Sequence, residues 1–364
     1  MNITLSDLFP ENSLNLITGP CSAETEEQVL MIARQLASLP QVKLLRAGIW
    51  KPRTRPNSFE GVGSVGLKWL QRVKEETQLP VAVEVANPIH VEECLRHDID
   101  VLWIGARTSV NPFMVQEIAE SLAGTDAPVI VKNPINPDLQ LWLGAIERLN
   151  KVGLKDVAAL HRGFSVFKKG IYRNPPQWEI PIELMRLRPD ILMFCDPSHI
   201  SGNRELLLPV GQQALDLRMR GLMIETHPDP DRAWSDAQQQ ITASQLQELI
   251  AQWIIRKTHF DDAFASAQIE NLRHDIDELD NELIDILLRR KKVVEQIAQL
   301  KERQGVQIYQ PERWQELVEK ANLQAQELGL DPVFLHRILS VIHNQAIDDQ
   351  AKIMNADKVK SGTP

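Results

Sequence analysis

The segment Arg46-Ala-Gly-Ile-Trp-Lys51-Pro-Arg53-Thr54-Arg55-Pro56 gathers four fixed cations in a chain of 364 residues whose formal net charge is -9. It follows the apolar run Val42–Leu45, a strand pattern, and Pro52 and Pro56 hold it extended. Cations crowded at the end of a buried strand repel one another unless anions neutralise them. A solvated basic loop is the alternative. Against it stand the prolines, which fix the geometry of the cations, and the comparable chemistry at the ends of the other strands. The stretch reads as a binding site for phosphorylated small molecules.

Two groups of residues extend that chemistry. Arg107, Lys132 and Arg162, with Arg46 and Lys51, are fixed cations suited to phosphate and carboxylate, the arginines by bidentate pairing. Cys21, His199, Glu225 and Asp236 offer sulfur, nitrogen and oxygen donors suited to a divalent transition metal: Mn, Fe, Co or Zn. Singly, Cys21 reads as a small buried residue, His199 as a satisfied loop histidine and the two acids as helix N-terminal charges. Convergence on one face favours the metal. Cys94 on a helix and Cys195 within a strand read as packing residues.

The elements that would bring these residues together are eight apolar runs alternating with amphipathic stretches up to about residue 255. Strands are expected at Leu14–Thr18, Val42–Arg46, Val81–Val85, Val101–Ile104, Val129–Lys132, Val157–Leu160, Ile191–Cys195 and Gly221–Glu225. Helical patterns between them include Glu26–Leu39, Val65–Thr77, Pro112–Leu122, Leu139–Val152, Glu205–Met219 and Ser244–Ile255. This alternation predicts an α/β chain with a (β/α)8 barrel whose active site lies at the strands' C-terminal ends. No Gly-x-Gly-x-x-Gly follows the first strand, which counts against a doubly wound sheet. The strand ends read Cys21, Arg46 with Lys51 and Arg53, Glu84, Arg107, Lys132, His161-Arg162, Asp196 with His199, and Glu225 with His227.

Apolar content of 43% and charged content of 24% suit a globular enzyme. No run is long enough for a membrane span, and the N-terminus lacks a signal pattern. Three cysteines cannot form a disulfide framework, so a cytoplasmic location is expected. The acidic balance argues against nucleic acid.

After Arg256 the pattern changes. A linker is expected at 259–267, between a barrel domain of 1–258 and a helical domain of 268–364. Ile269, Leu272, Ile276, Leu279, Leu283, Ile286, Val293, Ile297 and Leu300 repeat at 3,4 spacing, predicting one long helix with a coiled-coil-like seam. Arg290 occupies a seam position, where a guanidinium requires an anion or must snorkel out. Gly305 ends the helix, and Pro311 and Pro332 open two more.

The segments Gly19-Pro-Cys-Ser22, Lys51-Pro-Arg-Thr54, Gly105-Ala-Arg107, Val131-Lys132-Asn133, Arg162-Gly163, Asp196-Pro-Ser-His199, Glu225-Thr-His227 and Ser235-Asp236, in that order, resemble 3-deoxy-D-arabino-heptulosonate 7-phosphate (DAHP) synthase in its short form. The resemblance covers residues 10 to 258. It implies condensation of phosphoenolpyruvate with erythrose 4-phosphate, the entry step of aromatic amino-acid biosynthesis. It makes Cys21, His199, Glu225 and Asp236 the metal ligands, and places phosphoenolpyruvate on Arg107, Lys132, Arg162, Arg46 and Lys51. Arg53 and Thr54 would take the aldose phosphate, with Asp196 near its hydroxyls. Lys51 and Glu84 are the candidates for handling water and protons. The sister octulosonate enzyme typically carries Lys-Ala-Asn-Arg where this chain reads Lys51-Pro-Arg-Thr54.

The last hundred residues resemble the all-helical chorismate mutases through Arg273, Arg290, Lys301, Arg313 and Gln350. Arg290 and Lys301, three turns apart, lie about 16 Å from each other on one helix face, and Arg273 a further 25 Å or so back. A straight helix cannot bring all three to one ligand. The resemblance supplies the answer: a homodimer or dimer-based oligomer whose sites are shared between chains. It implies that arginines hold the carboxylates of chorismate while Lys301 and Gln350 stabilise the ether oxygen. Trp314 and Gln310 stand where relatives carry acidic residues. A non-catalytic, dimerising ligand sensor is the alternative for this region.

Overall fold

A computed structural model describes residues 3–52, 59–167 and 170–355. The chain divides into two compact units after Thr258.

In the first unit eight strands close into a parallel barrel in sequence order. They are β1 (Leu16–Gly19), β2 (Val42–Ala47), β3 (Val81–Val85), β4 (Val101–Ile104), β5 (Val129–Lys132), β6 (Val157–His161), β7 (Leu192–Cys195) and β8 (Gly221–Glu225). A four-residue helix α1 (Leu5–Leu8) precedes them. Between and after the strands come α2 (Glu26–Leu36), α3 (Val65–Thr77), α4 (Pro88–Arg96), α5 (Pro112–Ser121), α6 (Leu139–Lys151), α7 (Glu179–Leu187), α8 (Pro197–Ser201), α9 (Leu207–Asp216) and α10 (Ala243–Ile250). Helices α4 and α7 are not among the helical stretches expected from the sequence. Asn87 caps α4 through its side chain on the His90 amide, with Pro88 in the first turn.

The barrel interior explains how strand sequence becomes site. Ile17, Leu44, Ala82, Val101, Trp103, Ile130, Ala158, Leu160, Phe194 and Met223 fill the barrel as one buried cluster. Leu5 and Phe9 close its lower end, the Phe9 ring 4.7 Å edge-on from Phe194. Side chains alternate faces along a strand, so two residues further on the chain points inward again, one layer higher. There stand Arg46 after Leu44, Glu84 after Ala82, Lys132 after Ile130, Arg162 after Leu160, Asp196 after Phe194 and Glu225 after Met223. An apolar floor therefore carries a charged layer at the strands' C-terminal ends. The opposite strand faces pack Val81, Val83, Leu102, Val129, Val131 and Leu222 against the helices.

The second unit consists of α11 (Ala263–Gln304), α12 (Pro311–Leu328) and α13 (Pro332–Met354), with α13 packed along both others. Helix α11 starts inside the stretch expected as a linker, because the Asp262 side chain caps the Phe264 amide. It is correspondingly longer than the expected helix. Its seam is also not the core of one chain: Leu272, Ile276, Leu279, Leu283, Ile286, Val293, Ile297 and Leu300 are all exposed. Val294 and Ala298 are the buried positions of α11, matched by Ala321, Ala325 and Ala346. No helix among the described residues is long and apolar enough to cross a membrane.

Candidate active sites

At the barrel mouth Arg46 is buried and its Nη1 donates to Glu225 Oε1 at 2.6 Å. Its Nη2 donates to the Cys21 carbonyl at 3.2 Å, leaving Nε without a partner among the described residues. Trp103, rising from the floor, places its ring 4.9 Å below the guanidinium and 5.7 Å from Lys132 Nζ, where the π-face supports both cations. Glycine is required twice to make room. A Cβ on Gly19, whose φ is +147°, would sit 2.0 Å from the Arg46 carbonyl, and one on Gly105 the same distance from Glu84 Oε1.

Cys21, Glu225 and Asp236 bring one donor atom each within 4.8 Å of the others. His199 Nε2 lies 3.7 Å from Glu225 Oε1, beside that three-residue set. Cys21 Sγ lies 3.1 Å from Asp236 Oδ2 and accepts from Lys51 Nζ at 2.9 Å. Burial, reinforced by Glu225, pushes the thiol up to about 12. Burial pushes the His199 imidazole below its ordinary value, although Asp196 Oδ2 lies 2.7 Å from its Nδ1. The carboxyls of Asp196, Glu225 and Asp236 all lie below the usual range. His199 and Lys132 outweigh burial at Asp196, His199 and Arg46 do so at Glu225, and Arg173 does so at Asp236. Asp236 adopts a left-handed backbone, φ 50°, a strained conformation for a non-glycine residue. Its carboxylate gains Arg173 Nη1 at 2.8 Å.

The cations cluster beside this donor set. Lys132 Nζ pairs with Asp196 at 3.0 Å. Arg162 is buried, and burial lowers its pKa to about 10, with Arg173 and Arg107 close enough to lower it further and Asp196 opposing. The group remains charged at neutral pH and an anion would relieve it. Glu84 borders the mouth beside Gly105. Arg53 and Thr54 lie outside the described residues.

Sequence reasoning misses several participants. Gln239 Nε2 donates to Glu225 Oε2 at 2.6 Å and Gln240 Oε1 accepts from the Cys21 amide at 2.9 Å, so both fix expected ligands. Arg173 sits in the long β6–α7 connection. No strand end or motif marks any of the three, because they reach the mouth from loops.

In the helical unit Arg290 is half-buried and forms no ion pair among the described residues. Lys301 Nζ donates to the Ile308 carbonyl at 2.6 Å, and burial lowers its pKa. Gln350 is buried, its Nε2 on the Ala346 carbonyl at 3.1 Å and its Oε1 without a partner among the described residues. To donate to an ether oxygen the amide must leave that carbonyl. Arg273 and Arg313 are exposed and pair only with Glu270 and Glu316 of their own helices among the described residues. Trp314, in phase with core positions, instead stacks on His343, centroids 4.3 Å apart at 22°.

Fold and mouth together define a (β/α)8 enzyme with anion-binding groups over the strand ends. The chain belongs to the DAHP synthetase I family, which its residues 10–260 match, and residues 272–351 match the chorismate mutase type II family. Both activities, DAHP synthase and chorismate mutase, follow from these matches. A phospho-2-dehydro-3-deoxyheptonate aldolase of Thermotoga maritima is 30% identical over 250 residues, 68% of this chain and 71% of the relative. A 2-dehydro-3-deoxyphosphooctonate aldolase of Coxiella burnetii is 26% identical over 271 residues, 69% of this chain and 92% of the relative. Among solved structures, the Thermotoga maritima DAHP synthase superposes with a TM-score of 0.62 at 28% identity, covering 69% of this chain and 71% of that one.

His161, on the helix-facing side of β6, makes the barrel's stability depend on pH. Burial pushes its imidazole from 6.5 to about 3, with the rings of Trp178, Phe164 and Trp142 at 5.3, 5.6 and 6.3 Å. The unfolded chain therefore takes up this proton first, and stability falls as pH drops from 6.5 towards the folded value. Between pH 7 and pH 5 the wild type should lose about 2 kcal/mol more than His161→Phe. Denaturant titrations of both proteins at the two pH values measure this, and parallel losses would contradict it.

Proposed function

We propose that the barrel joins phosphoenolpyruvate to erythrose 4-phosphate, releasing phosphate, with a divalent transition metal held by Cys21, His199, Glu225 and Asp236. The observation that carries this reading is the cluster of Cys21, Glu225 and Asp236, with His199 against Glu225, beside Arg162, Lys132 and Lys51. One sulfur, one imidazole and two carboxylates suit Mn, Fe, Co or Zn, and the bound ion would supply Lewis acidity to the aldehyde oxygen. Arg162, Lys132 and Arg107 hold the phosphate and carboxylate of phosphoenolpyruvate. Arg46 positions Glu225 and offers its remaining N–H, and Arg53 and Thr54 take the aldose phosphate. Lys51 and Glu84 move the protons of the water that adds as phosphate leaves. A cytoplasmic location fits three cysteines that are all unpaired.

In the helical unit Arg290, Lys301 and Gln350 bind chorismate and assist its rearrangement to prephenate. Arg273 and Arg313 complete the site, Arg273 from a second copy of the chain. The exposed apolar seam of α11 supports this reading, since a face of that length is covered in a coiled-coil-like dimer. Ligand in this unit also inhibits condensation, because any preference of the ligand for one arrangement of the chain is felt at both sites.

A chelator should abolish condensation and spare the mutase, since the cluster of metal-type donors found among the described residues lies in the barrel. Loss of mutase activity in a chelated but intact protein would contradict the assignment. Mixing the inactive Arg273→Ala and Lys301→Ala proteins should restore part of the mutase activity through one intact site per mixed dimer. Proven subunit exchange without recovery would place Arg273 in its own chain's site or in none. Saturating prephenate or chorismate should slow condensation, an effect Arg290→Ala removes. Unchanged rates in a protein that demonstrably binds either compound would disprove the coupling.

A further inference from the structure

Chorismate carries two carboxylates, an ether oxygen and one ring hydroxyl. Cations answer the carboxylates and donors the ether, but the hydroxyl brings a proton that needs an acceptor. Arg290 and Lys301 are donors only. Helix α13 supplies a different chemistry next to them. His343, Ala346 and Gln350 lie three, four and seven residues apart and so share one face of that helix.

His343 is held on that face. Trp314 from α12 stacks on its ring, and Tyr309, in the connection before α12, approaches edge-on at 6.3 Å. Its Nε2 is buried and has no hydrogen-bond partner among the described residues. Among the described residues the charged groups that act on the ring are Arg290 and Lys301, both of α11. His336, seven residues earlier on α13, has its ring 6.1 Å from that of Trp314. Burial first, then Arg290 and Lys301, push the imidazole below its ordinary value. The ring is therefore neutral at pH 7 and carries one acceptor nitrogen. A lone pair is favoured on the buried nitrogen beside two cations. A buried acceptor without a donor costs free energy unless a ligand supplies one.

We propose that His343 is a substrate-contacting residue of the mutase site, its Nε2 accepting a hydrogen bond from the ring hydroxyl of chorismate. Trp314 fixes the angle of the imidazole and so takes part without polar contact. This inference rests on the mutase reading of the helical unit and adds to it the group that recognises the hydroxyl.

The test uses the full-length protein, chorismate, and the chorismate analogue in which that hydroxyl is replaced by hydrogen. The wild type should favour chorismate in kcat/KM by about fivefold to tenfold, the value of one hydrogen bond. His343→Phe keeps a ring to stack on Trp314 and removes the nitrogen. It should turn over chorismate at a kcat/KM lowered by that same factor and treat both compounds alike. A His343→Phe protein that still discriminates fully would overturn the inference. So would a wild type that turns over both compounds equally, a result that needs no variant to fold. A wild type without any turnover of chorismate would overturn the mutase reading instead.

Discussion

The ion pair between Arg46 and Glu225, buried at 2.6 Å between the ends of β2 and β8, is the contact on which the barrel mouth depends. Strand β1 lies between those two and pairs with both, so the bridge passes over the end of β1, where Cys21 emerges. Taking two charges out of water costs several kcal/mol each, and only close geometry with further hydrogen bonds offsets it. Here Gln239 meets the second carboxylate oxygen, the Cys21 carbonyl meets the second guanidinium nitrogen, and Trp103 lies beneath. The pair is thus a frame as much as a binding element. Together with His199 it holds a carboxylate charged at a place where burial alone would favour the neutral form.

Around this frame the mouth is built with unbalanced charge. Arg173 and Arg107 stand close enough to disfavour the charge on Arg162, and Asp196 is shared between Lys132 and His199. Such an arrangement stores repulsion that an anionic ligand releases, and it is tolerable because the apolar floor below is rigid and closed by Phe9. The helical unit follows the same logic with fewer groups. Arg290, Lys301, His343 and Gln350 are drawn partly out of water without a full set of partners. The apolar seam of α11 stays uncovered in one chain.

Several features could be read without coordinates. Strand alternation with helices predicts the barrel, and because β-strand side chains repeat every two residues, each motif at a strand end must project over the same opening. Lys132 after Val129-Ile-Val131 and Glu225 after Leu222-Met-Ile224 are legible in that way. The observed strands differ from the expected ones only at their margins, such as β1 beginning at Leu16. The family motifs are equally a property of the sequence, since each is contiguous.

Contacts between distant loops are not written in any local pattern, and the tertiary structure alone decides them. Arg173 reaches Asp236 because the connections after β6 and β8 meet over the mouth, and Gln239 reaches Glu225 because the chain after β8 folds back over its strand end. Arg46 reads as one more phosphate ligand in sequence, yet closure pairs it with Glu225, because a buried carboxylate takes the nearest cation. Trp314 fits the periodicity of a core residue, and only the packing of α12 on α13 turns it onto His343. Periodicity determines which side of α11 is apolar. It does not determine whether that side meets its own chain, and Val294 and Ala298 take that place because small side chains let α13 approach closely. Residue spacing along one strand or helix is set by backbone geometry, whereas the meeting of two elements is set by packing between parts of the chain far apart in sequence.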